Sequence, residues 1–330
     1  MNKHLNYAIL KNYEKKKILV TGGAGFVGSN LVKELIQLGA DVTVLDDLFT
    51  GSLDHLKGVN GYHFIKGDVR DEKLIPETVG EFEYVFHLAA RNIIISLKNP
   101  KEDYSVNIGG TLNLLMALRD SKNLRKLIYS SSVSIYGNPR YLPINEDDPI
   151  SLLNPYATSK FAGENYTVVF YENFNLPVTV VRYSNVYGDF QSPRNPYCGV
   201  VGKFIEKISR GQVPEIHGDG AQTRDFTYIK DAVEATLLAG ILERSMGEIF
   251  NVGTGVETSI NYLTEVLLDI YDKKELKLKY IDKRDIDNIR RRVVNIEKIR
   301  QKLKWFPQYN LKRGLMNTVE WYEKHKAGEK

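Results

Sequence analysis

Tyr156 and Lys160 are the two residues of this sequence whose types and spacing most directly suggest chemistry. They stand four positions apart in a segment predicted to be helical, so the ammonium group can approach the phenol. A nearby cation stabilises phenolate and lowers the pKa of a tyrosine from its ordinary value of about 10, which makes proton abstraction feasible at neutral pH. The same spacing recurs in other pairs: Tyr7/Lys11, Tyr13/Lys17, Tyr62/Lys66 and Tyr322/Lys326. Only Tyr156 begins a helix that follows a serine-ended strand, at Ser132, and we expect the other pairs to be solvated surface contacts.

A glycine-rich turn near the N-terminus is the second chemical signal. An apolar run over residues 17–20 leads into Gly23, Gly25 and Gly28, and an apolar-periodic segment follows over residues 31–38. This spacing is typical of a strand, a tight turn and a helix, with glycines for the turn, for close backbone approach and for helix packing. Free N–H groups and the positive end of the helix dipole above such a turn favour a pyrophosphate. A turn that serves packing alone is the alternative.

Two carboxylates extend this nucleotide-binding signal. A second predicted strand ends at Asp46, about twenty residues after the glycine turn, where a carboxylate accepts hydrogen bonds from an adenosine ribose. Asp46 and Asp47 together would repel a 2′-phosphate, and no arginine follows directly. The sequence therefore favours NAD over NADP as the cofactor.

Composition excludes several classes of protein. The chain has 330 residues and a formal net charge of +4; five Lys and one Glu within residues 1–17 account for that whole excess, which argues against a nucleic-acid surface. Cys198 is the single cysteine, so we expect no disulfide framework, no thiolate metal site and a reducing cytosol. Neither a signal-peptide core nor a long apolar run is present, so we expect a cytoplasmic protein without membrane contact. The first fourteen residues are expected to form a frayed helix or a tail.

Predicted strands and helices alternate along most of the chain. After the glycine turn, strands are expected at residues 41–45, 62–66, 83–88, 126–129, 178–181 and 249–252, and helices at 99–120, 155–173, 200–208, 230–242, 260–270, 296–303 and 311–323. The alternation predicts an α/β fold with a doubly wound parallel sheet, whose C-terminal edge would hold Ser132 and Tyr156. We divide the chain into an N-terminal extension (1–16), a nucleotide-binding domain that includes the Tyr/Lys helix (17–188), and a smaller mixed α/β lobe for substrate (189–330), parts of which return to the first domain.

Signatures spread over residues 17–310 resemble those of the extended short-chain dehydrogenase/reductase family. In chain order they are Thr21-Gly22-Gly23-Ala24-Gly25-Phe26-Val27-Gly28, Asp46-Asp47-Leu48, Gly67-Asp68-Val69, His87-Leu88-Ala89-Ala90, Asn107 with Gly110-Thr111, Ser130-Ser131-Ser132-Val133-Ser134-Ile135-Tyr136-Gly137, Tyr156-x-x-x-Lys160, Arg182-Tyr183-Ser184-Asn185-Val186-Tyr187-Gly188, and Gly218-Asp219-Gly220 followed by Arg224-Asp225-Phe226. The family comprises NAD-dependent nucleotide-sugar epimerases and dehydratases with a Rossmann-like domain. The chain is most similar to its UDP-glucose 4-epimerase-like branch.

The resemblance implies a set of NAD contacts. Asp68 and Val69 would hold the adenine, Ala89 and Ala90 would border the nicotinamide side, and Lys160 would bind the nicotinamide ribose. The other positions that the resemblance marks for the cofactor are Gly22, Gly25, Phe26, Val27, Gly28, Asp46, Asp47, Leu88, Asn107, Ser130, Tyr156, Tyr183 and Val186.

The resemblance also implies substrate contacts. Ser132 would hydrogen-bond the sugar hydroxyl that is oxidised, Asn185 would contact the diphosphate region, and Arg224 would pair with phosphate, for which its rigid fork is suited. The other expected substrate residues are Ser134, Val200, His217 and Arg284. Two readings stay open: His217 fits a merely packed histidine as well as a ring stacked on the base, and the run Arg290-Arg291-Arg292 fits a solvated face as well as a phosphate site.

Departures from the family pattern bear on the reaction. The 4,6-dehydratases place Asp-Glu after the position of Ser132, and decarboxylases keep a Glu two places on, whereas this chain has Val133 and Ser134. Neither can move a proton in the required range, which disfavours elimination. The segment after Ala90, residues 91–95, is bulkier and more apolar than usual and is expected to face the sugar pocket, as is Ser184, where Phe is common.

The leading hypothesis is therefore a UDP-sugar 4-epimerase that oxidises C4 transiently, lets the 4-keto sugar rotate and returns the hydride. The alternatives are another NAD-linked nucleotide-sugar enzyme (decarboxylase, 2-epimerase, 4,6-dehydratase or reductase) and a non-catalytic NAD-binding sensor or scaffold. By resemblance, helices 99–120 and 155–173 would pair with their copies in a homodimer through a four-helix bundle. Gly110, Leu114, Phe161 and Val169 are consistent with that interface or with intramolecular core.

Overall fold

A parallel sheet forms the centre of the computed structural model, which describes residues 2–191, 199–283 and 289–326. The strands of these residues are β1 (Lys17–Thr21), β2 (Asp41–Asp46), β3 (Tyr62–Lys66), β4 (Tyr84–His87), β5 (Lys126–Ser132), β6 (Val178–Tyr183), β7 (Asn185–Tyr187), β8 (Glu215–His217), β9 (Thr223–Arg224), β10 (Phe226–Tyr228), β11 (Ile249–Val252), β12 (Thr258–Ser259) and β13 (Lys279–Ile281). Seven of them form the central sheet in the order β11-β6-β5-β4-β1-β2-β3, and all neighbours are parallel. The chain order reverses between β1 and β4, so a ligand crevice is expected beyond the carboxyl ends of these two strands.

Helices cover both faces of the sheet. They are α1 (Asn2–Leu10), α2 (Phe26–Gln37), α3 (Leu74–Val79), α4 (Ile93–Lys98), α5 (Pro100–Asp103), α6 (Thr111–Leu118), α7 (Pro155–Phe174), α8 (Val200–Ser209), α9 (Ile229–Ile241), α10 (Ile260–Ile270), α11 (Glu297–Leu303) and α12 (Leu311–Lys326). A π-helical segment, Tyr104–Gly110, joins α5 to α6. Among the described helices, none combines the length and the apolarity that a bilayer crossing needs.

Alternate residues of the central strands pack against opposite helix layers. In β1, Val20 belongs to the apolar cluster that includes α2 and α9, whereas Leu19 belongs to the cluster that includes α6 and α7. A strand covered on both faces must be apolar throughout, which is why β1 has a continuous apolar run instead of an alternating pattern. The predicted doubly wound sheet is confirmed.

The predicted helix at residues 99–120 is the least regular of the predicted elements. Asn99 caps it from outside by accepting a hydrogen bond from the Glu102 N–H, and the helix widens into the π-helical segment before it continues as α6. Gly110 and Leu114 are buried within the protomer: a Cβ on Gly110 would lie 2.4 Å from a methyl of Val69. These two residues are therefore intramolecular core and not part of an interface with a second copy.

The C-terminal part of the chain contributes to two structural regions. Strand β11 pairs with β6 at the edge of the central sheet, and α9 packs on the same sheet. Three small sheets (β7 with β10, β8 with β13, β9 with β12) lie outside it, and the sequence pattern predicted none of these six short strands. Because β7 follows β6 after one residue, the small sheets begin near the carboxyl edge of the central sheet.

The expectation of a frayed helix or a tail at the N-terminus is wrong. Helix α1 packs against α9, and the following turn buries Tyr13 completely. The Tyr13 hydroxyl donates to the Leu237 carbonyl at 2.8 Å, and its ring meets the ring of Tyr84 edge-on at 5.1 Å. The segment covers apolar surface of α9 that would otherwise face water, which explains why it is ordered despite its high charge.

Tyr13→Ala should lower the free energy of unfolding by about 3–5 kcal/mol, because it removes a buried aromatic ring and leaves a cavity. Tyr13→Phe should cost only about 1 kcal/mol, since it removes the single hydrogen bond to Leu237. Tyr7→Ala is the matched control, because Tyr7 is 55% exposed, and it should change stability by less than about 0.5 kcal/mol. Denaturant unfolding measures all three, and equal effects at positions 7 and 13 would contradict the packed N-terminus.

Candidate active site

The glycine turn after β1 is packed directly against the end of β4. Gly22 has φ +71°, and a Cβ there would lie 2.7 Å from the backbone nitrogen of Ala89. A Cβ on Gly28 would lie 2.1 Å from the Gly22 carbonyl oxygen, so α2 can approach the turn only with glycine at this position. Gly22 therefore makes the turn that the sequence analysis assigned to the G-x-G-x-x-G glycines, and Gly28 provides the close helix packing.

Helix α2 begins directly above this turn with open donors. Gly25 is its N-cap and has no side chain to accept from the first turn, and the first intrahelical bond runs from Ser29 N–H to the Gly25 carbonyl. The N–H groups of Phe26, Val27 and Gly28 therefore lack carbonyl partners within the helix. Together with the helix dipole they suit a pyrophosphate, as the sequence predicted.

A pocket lies over the carboxyl ends of β2, β1 and β4. Its lining combines the glycine turn, the acidic ends of β2 and β3, and the segment after β4. The lining residues are Gly22, Gly25, Leu45, Asp46, Asp47, Thr50, Gly51, Gly67, Asp68, Val69, Leu88, Ala89, Ala90, Arg91 and Val106. Nine of the cofactor-binding positions expected from the sequence are thus brought together here, whereas Asn107 and the expected residues of α2, β5, β6, β7 and α7 are not among the lining residues.

Asp46 joins the end of β2 to the glycine turn. Its carboxylate accepts hydrogen bonds from the N–H groups of Ala24 at 2.9 Å and Leu48 at 2.8 Å. Burial raises the pKa of Asp46, while these backbone donors lower it. Asp46 therefore fixes the shape of the turn as well as facing the pocket, and each of its oxygens has a further lone pair for a ribose hydroxyl.

Asp68 and Val69 line the pocket where β3 ends. Arg70 pairs with the Asp68 carboxylate at 2.6 Å and holds its pKa below the ordinary value against the opposing effect of burial. Val69 is buried against Gly110. Both residues lie where the sequence analysis expected them, at the end of β3.

Arg91 does not face a sugar pocket, contrary to expectation. Its guanidinium pairs with Asp47 at 2.7 Å and with Glu102 at 2.9 Å, and it lies 4.0 Å from the Phe49 ring centre. The residues that follow form α4, a helix that the sequence analysis took for a loop. Ser184 likewise bonds Thr227 at 2.6 Å, so the unusual residues at both places are engaged within the protein.

His87 and Asn107 hold the two halves of the pocket together. The His87 ring bridges Thr21 of β1 at 2.7 Å and Thr111 of α6 at 2.9 Å, and burial lowers the pKa of His87 to about 3, so the ring is neutral. The Asn107 side chain accepts from the Arg91 N–H at 2.7 Å and donates to the Arg91 carbonyl at 3.0 Å. Asn107 therefore shapes the segment after Ala90 from behind.

Ser132, Tyr156 and Lys160 converge at the carboxyl end of β5. Asn154 caps α7 by accepting from the Ala157 N–H, and Pro155 occupies the first turn, which places Tyr156 at the start of the helix. The Ser132 side chain lies beside the Tyr156 phenol and favours loss of its proton, and the Ser132 oxygen accepts from the Ser134 N–H at 3.2 Å. Lys160 is buried one turn further on, with its ammonium 4.5 Å from the Tyr129 ring centre.

The electrostatics of this group differ from the expectation that Lys160 lowers the pKa of Tyr156. Burial raises the pKa of Tyr156, the bond from Ser132 opposes this rise, and the charge of Asp103 adds to it. Burial lowers the pKa of Lys160 to about 8, with the charges of Glu164 and Asp103 acting in the opposite direction. The Lys160 ammonium interacts with these carboxylates and with the Tyr129 ring. Because the pKa of Tyr156 is raised, its phenol is protonated at neutral pH in the protein alone.

Asp103 is a site residue that the sequence analysis missed. Its buried carboxylate accepts from Ser96 at 2.5 Å, from Asn107 at 2.7 Å and from Ser159 at 2.9 Å, and so joins α4, the π-helical segment and α7. The available signal was its position four residues before Asn107, on the same side of a helix. Glu164 was missed too: it pairs with buried Arg182 and accepts from Ser131 at 2.6 Å.

The remaining expected residues are spread over the region beyond β5 and β6. The Tyr183 hydroxyl hydrogen-bonds the Thr236 hydroxyl inside the core, and Asn185 and Val186 lie on β7. Val200 begins α8, and the His217 ring bonds the Asp282 carbonyl at 2.9 Å. Ser130 lies on β5 two residues before Ser132. The Ser134 hydroxyl accepts a hydrogen bond from the Ser132 hydroxyl.

The arginines expected at phosphate divide into three cases. Arg224 is buried and donates through Nη1 to the Thr223 carbonyl at 2.7 Å and the Ile289 carbonyl at 2.8 Å. Arg290 and Arg291 are exposed and pair with Asp219 and Glu257, whereas Arg292 is buried, so the run does not form one solvated face. Arg284 lies outside the described residues.

Comparison with known proteins agrees with this geometry. The sequence model of the NAD dependent epimerase/dehydratase family matches residues 18–253. A UDP-glucose 4-epimerase from Mycolicibacterium smegmatis is 37% identical over 319 residues, 93% of this chain and 98% of the relative. Decarboxylases and 4,6-dehydratases of nucleotide sugars are also among the relatives.

Solved structures are similar over nearly the whole chain. An epimerase from Methanothermobacter thermautotrophicus superposes with a TM-score of 0.92 at 31% identity and covers 98% of this chain and 96% of its own. A UDP-glucose 4-epimerase from Thermotoga maritima, solved with UDP-glucose, has a TM-score of 0.89 at 36% identity and covers 94% of this chain and 99% of its own. Other solved relatives contain NAD.

Proposed function

The chain belongs to the NAD dependent epimerase/dehydratase family, and within it we propose a nucleotide-sugar 4-epimerase that acts on UDP-glucose, UDP-galactose or a related UDP-hexose. The cofactor is NAD, and the relatives are enzymes of nucleotide-sugar metabolism. The proposal concerns the reaction and the substrate. The observation that carries it is the group Ser132, Tyr156 and Lys160 with no carboxylate at the two positions after Ser132.

The residues that would hold NAD follow from the pocket. The open N–H groups of Phe26, Val27 and Gly28 suit the pyrophosphate, Asp46 suits the adenosine ribose, and Asp68 suits the adenine. NAD, when bound, supplies reversible hydride acceptance and a positive charge near the phenol. A positive charge there would favour the phenolate form of Tyr156. In the protein alone, the Lys160 ammonium is not among the groups that lower the pKa of Tyr156.

Tyr156 would take the proton of the sugar hydroxyl and later return it. Ser132 lies beside the phenol, so the hydroxyl of a substrate placed between them would meet a donor and an acceptor. Lys160 remains charged below about pH 8 and would bind the nicotinamide ribose and stabilise the negative charge that develops on the phenol. Asn185 and Arg224 would anchor the diphosphate region, with Val200 and His217 at the nucleotide.

The side chains after Ser132 favour epimerisation over elimination. Val133 is buried, and Ser134 is hydrogen-bonded to Ser132 at 3.1 Å. Neither can act as the acid or base that loss of water from C5 and C6 requires. The alternatives are a decarboxylase, a 2-epimerase, a 4,6-dehydratase, a reductase, or a non-catalytic NAD-binding sensor or scaffold, and nothing in a scaffold requires the buried Lys160.

The test is a panel of UDP-, dTDP-, GDP- and CDP-hexoses incubated with the protein and read by mass spectrometry and NMR. A 4-epimerase leaves the product mass unchanged and inverts C4, whereas loss of water or CO₂ changes the mass and 2-epimerisation inverts C2. Tyr156→Phe should lower turnover by about 100-fold or more while NAD stays bound, because the proton acceptor is lost. Near-normal turnover in that variant would refute the assignment, and no turnover of any sugar by NAD-loaded protein would favour the sensor.

Asp103→Asn should move both limbs of the pH–activity profile to lower pH. The Asp103 charge raises the pKa of Tyr156 and also raises that of Lys160, so its removal lowers both. The phenol then loses its proton at lower pH, and the ammonium does so as well. Initial rates measured across pH 5 to 10 check this prediction. Asp120→Asn is the control at an exposed carboxylate and should leave the pH–activity profile unchanged. An unchanged profile for Asp103→Asn would contradict the electrostatic coupling.

A homodimer through α6 and α7 is the assembly we propose. Met116 of α6 and Val169, Tyr166 and Phe174 of α7 are large apolar side chains that the described protomer leaves 40–49% exposed. These residues, and not the buried Gly110 and Leu114, would form the contact. Such exposed apolar residues on adjacent helices suit a partner helix pair.

Light scattering should give twice the 37.6 kDa chain mass for the wild type. Val169→Glu should shift the protein to monomer, because it buries a charge in an apolar contact. Val256→Glu is the matched control, since Val256 is exposed on a loop remote from α7, and it should remain dimeric. A wild-type protein of monomer mass would remove the proposal.

A further inference from the structure

A chain of alternating charges runs along one wall of the NAD pocket. Asp47 pairs with Arg91, Arg91 with Glu102, Glu102 with Arg70, and Arg70 with Asp68, at distances of 2.7, 2.9, 2.9 and 2.6 Å. Arg91 is its most buried member, with 5% of its side chain exposed. Asp47, Asp68 and Arg91 line the pocket directly, so this chain of charges is part of the binding wall.

Sheet topology makes the Asp47–Arg91 pair a bridge over the glycine turn. Asp47 directly follows β2, and Arg91 comes four residues after the end of β4. Strand β1 lies between β2 and β4 in the sheet, and the glycine turn continues from its carboxyl end. An ion pair from the end of β2 to the segment after β4 therefore spans the carboxyl end of β1, alongside a dinucleotide that would extend across the same strand ends.

Several contacts fix the bridge in place. Besides the two carboxylates, the Arg91 backbone is held on both sides by Asn107, and its guanidinium stacks on Phe49. The second Asp47 oxygen accepts from the Phe49 N–H at 2.9 Å. Opening a nearly buried ion pair that is also hydrogen-bonded is much costlier than opening an exposed one, because each charge would be left without its partner.

We propose that Arg91, clamped between Asp47 and Glu102, is a clasp that slows the release of NAD from this protein. Both Asp47 oxygens are engaged, one by the Phe49 N–H and one by Arg91, so Asp47 is the fixed end of the clasp. The pair joins two segments that both line the pocket, so this wall cannot widen around the dinucleotide while the pair is closed. Slow release of NAD suits any reaction that oxidises and then reduces the same sugar with one cofactor molecule. This inference depends on the NAD pocket and not on the identity of the sugar.

The experiment measures the rate at which NAD leaves the loaded protein, with no sugar present, by timed dialysis and quantification of NAD per chain. Arg91→Ala should release NAD about tenfold faster or more, since loss of one partner of a buried charge pair acts mainly on dissociation rates. Arg91→Lys should be intermediate, because it keeps the charge and loses the two-pronged contact. Arg125→Ala is the matched control: Arg125 pairs with Glu83 just before β5, at the opposite end of the sheet, and its release rate should equal that of the wild type.

Glu102→Gln provides an independent variant if Arg91→Ala folds poorly. It should speed NAD release several-fold, and the double variant Arg91→Ala/Glu102→Gln should release NAD no faster than Arg91→Ala, because both substitutions open the same clasp. Wild-type release rates in a folded Arg91→Ala or Glu102→Gln variant, or effects of the two that simply add, would overturn the proposal. Since no sugar is used, a failure of the epimerase assignment would leave these rates unaffected.

Discussion

The contact between the glycine turn and the end of β4 is the constraint on which the rest of the site depends. Gly22 lies so close to Ala89 that no other residue fits between the two segments, and Thr21 and His87 hydrogen-bond one level below. The ends of β1 and β4 are thereby held together, and the helices that follow them diverge to opposite faces of the sheet. The crevice where they part is the NAD pocket.

A second layer of polar contacts transmits this geometry to the catalytic group. Asn107 fixes the segment after Ala90 through the Arg91 backbone. It also donates hydrogen bonds to Asp103 and to Ser159, and Ser159 lies on α7, the helix that holds Tyr156 and Lys160. The Asp103 carboxylate is buried and accepts from three donors, Ser96, Asn107 and Ser159. A shift in one helix would therefore leave polar groups of the other helices without hydrogen-bond partners. Buried hydrogen bonds therefore connect the pocket wall to the Tyr156 helix.

Burial gives the site its chemical character and also sets its limits. It lowers the pKa of Lys160 to about 8 and raises that of Tyr156, so both groups are less charged than they would be in water. Asp103 and Glu164 keep the ammonium charged, but their negative charge cannot favour phenolate. The phenol therefore keeps its proton at neutral pH in the protein alone, and the positive charge of an oxidised nicotinamide would favour its loss.

The sequence by itself determined the doubly wound sheet, the glycine turn, the acidic ends of β2 and β3, and the group Ser132, Tyr156 and Lys160, because these depend on local periodicity and on motifs that lie within one turn or one strand end. It did not determine what Arg91, Asp103 and Glu164 contact, since Asp47, Ser159 and Arg182 come near them only through strand order. The burial of Tyr13 and the raised pKa of Tyr156 were likewise missed, because burial is a property of several packed elements. Tertiary structure alone decided those points, since the field and the solvent exposure at a side chain are set by neighbours distant in the chain.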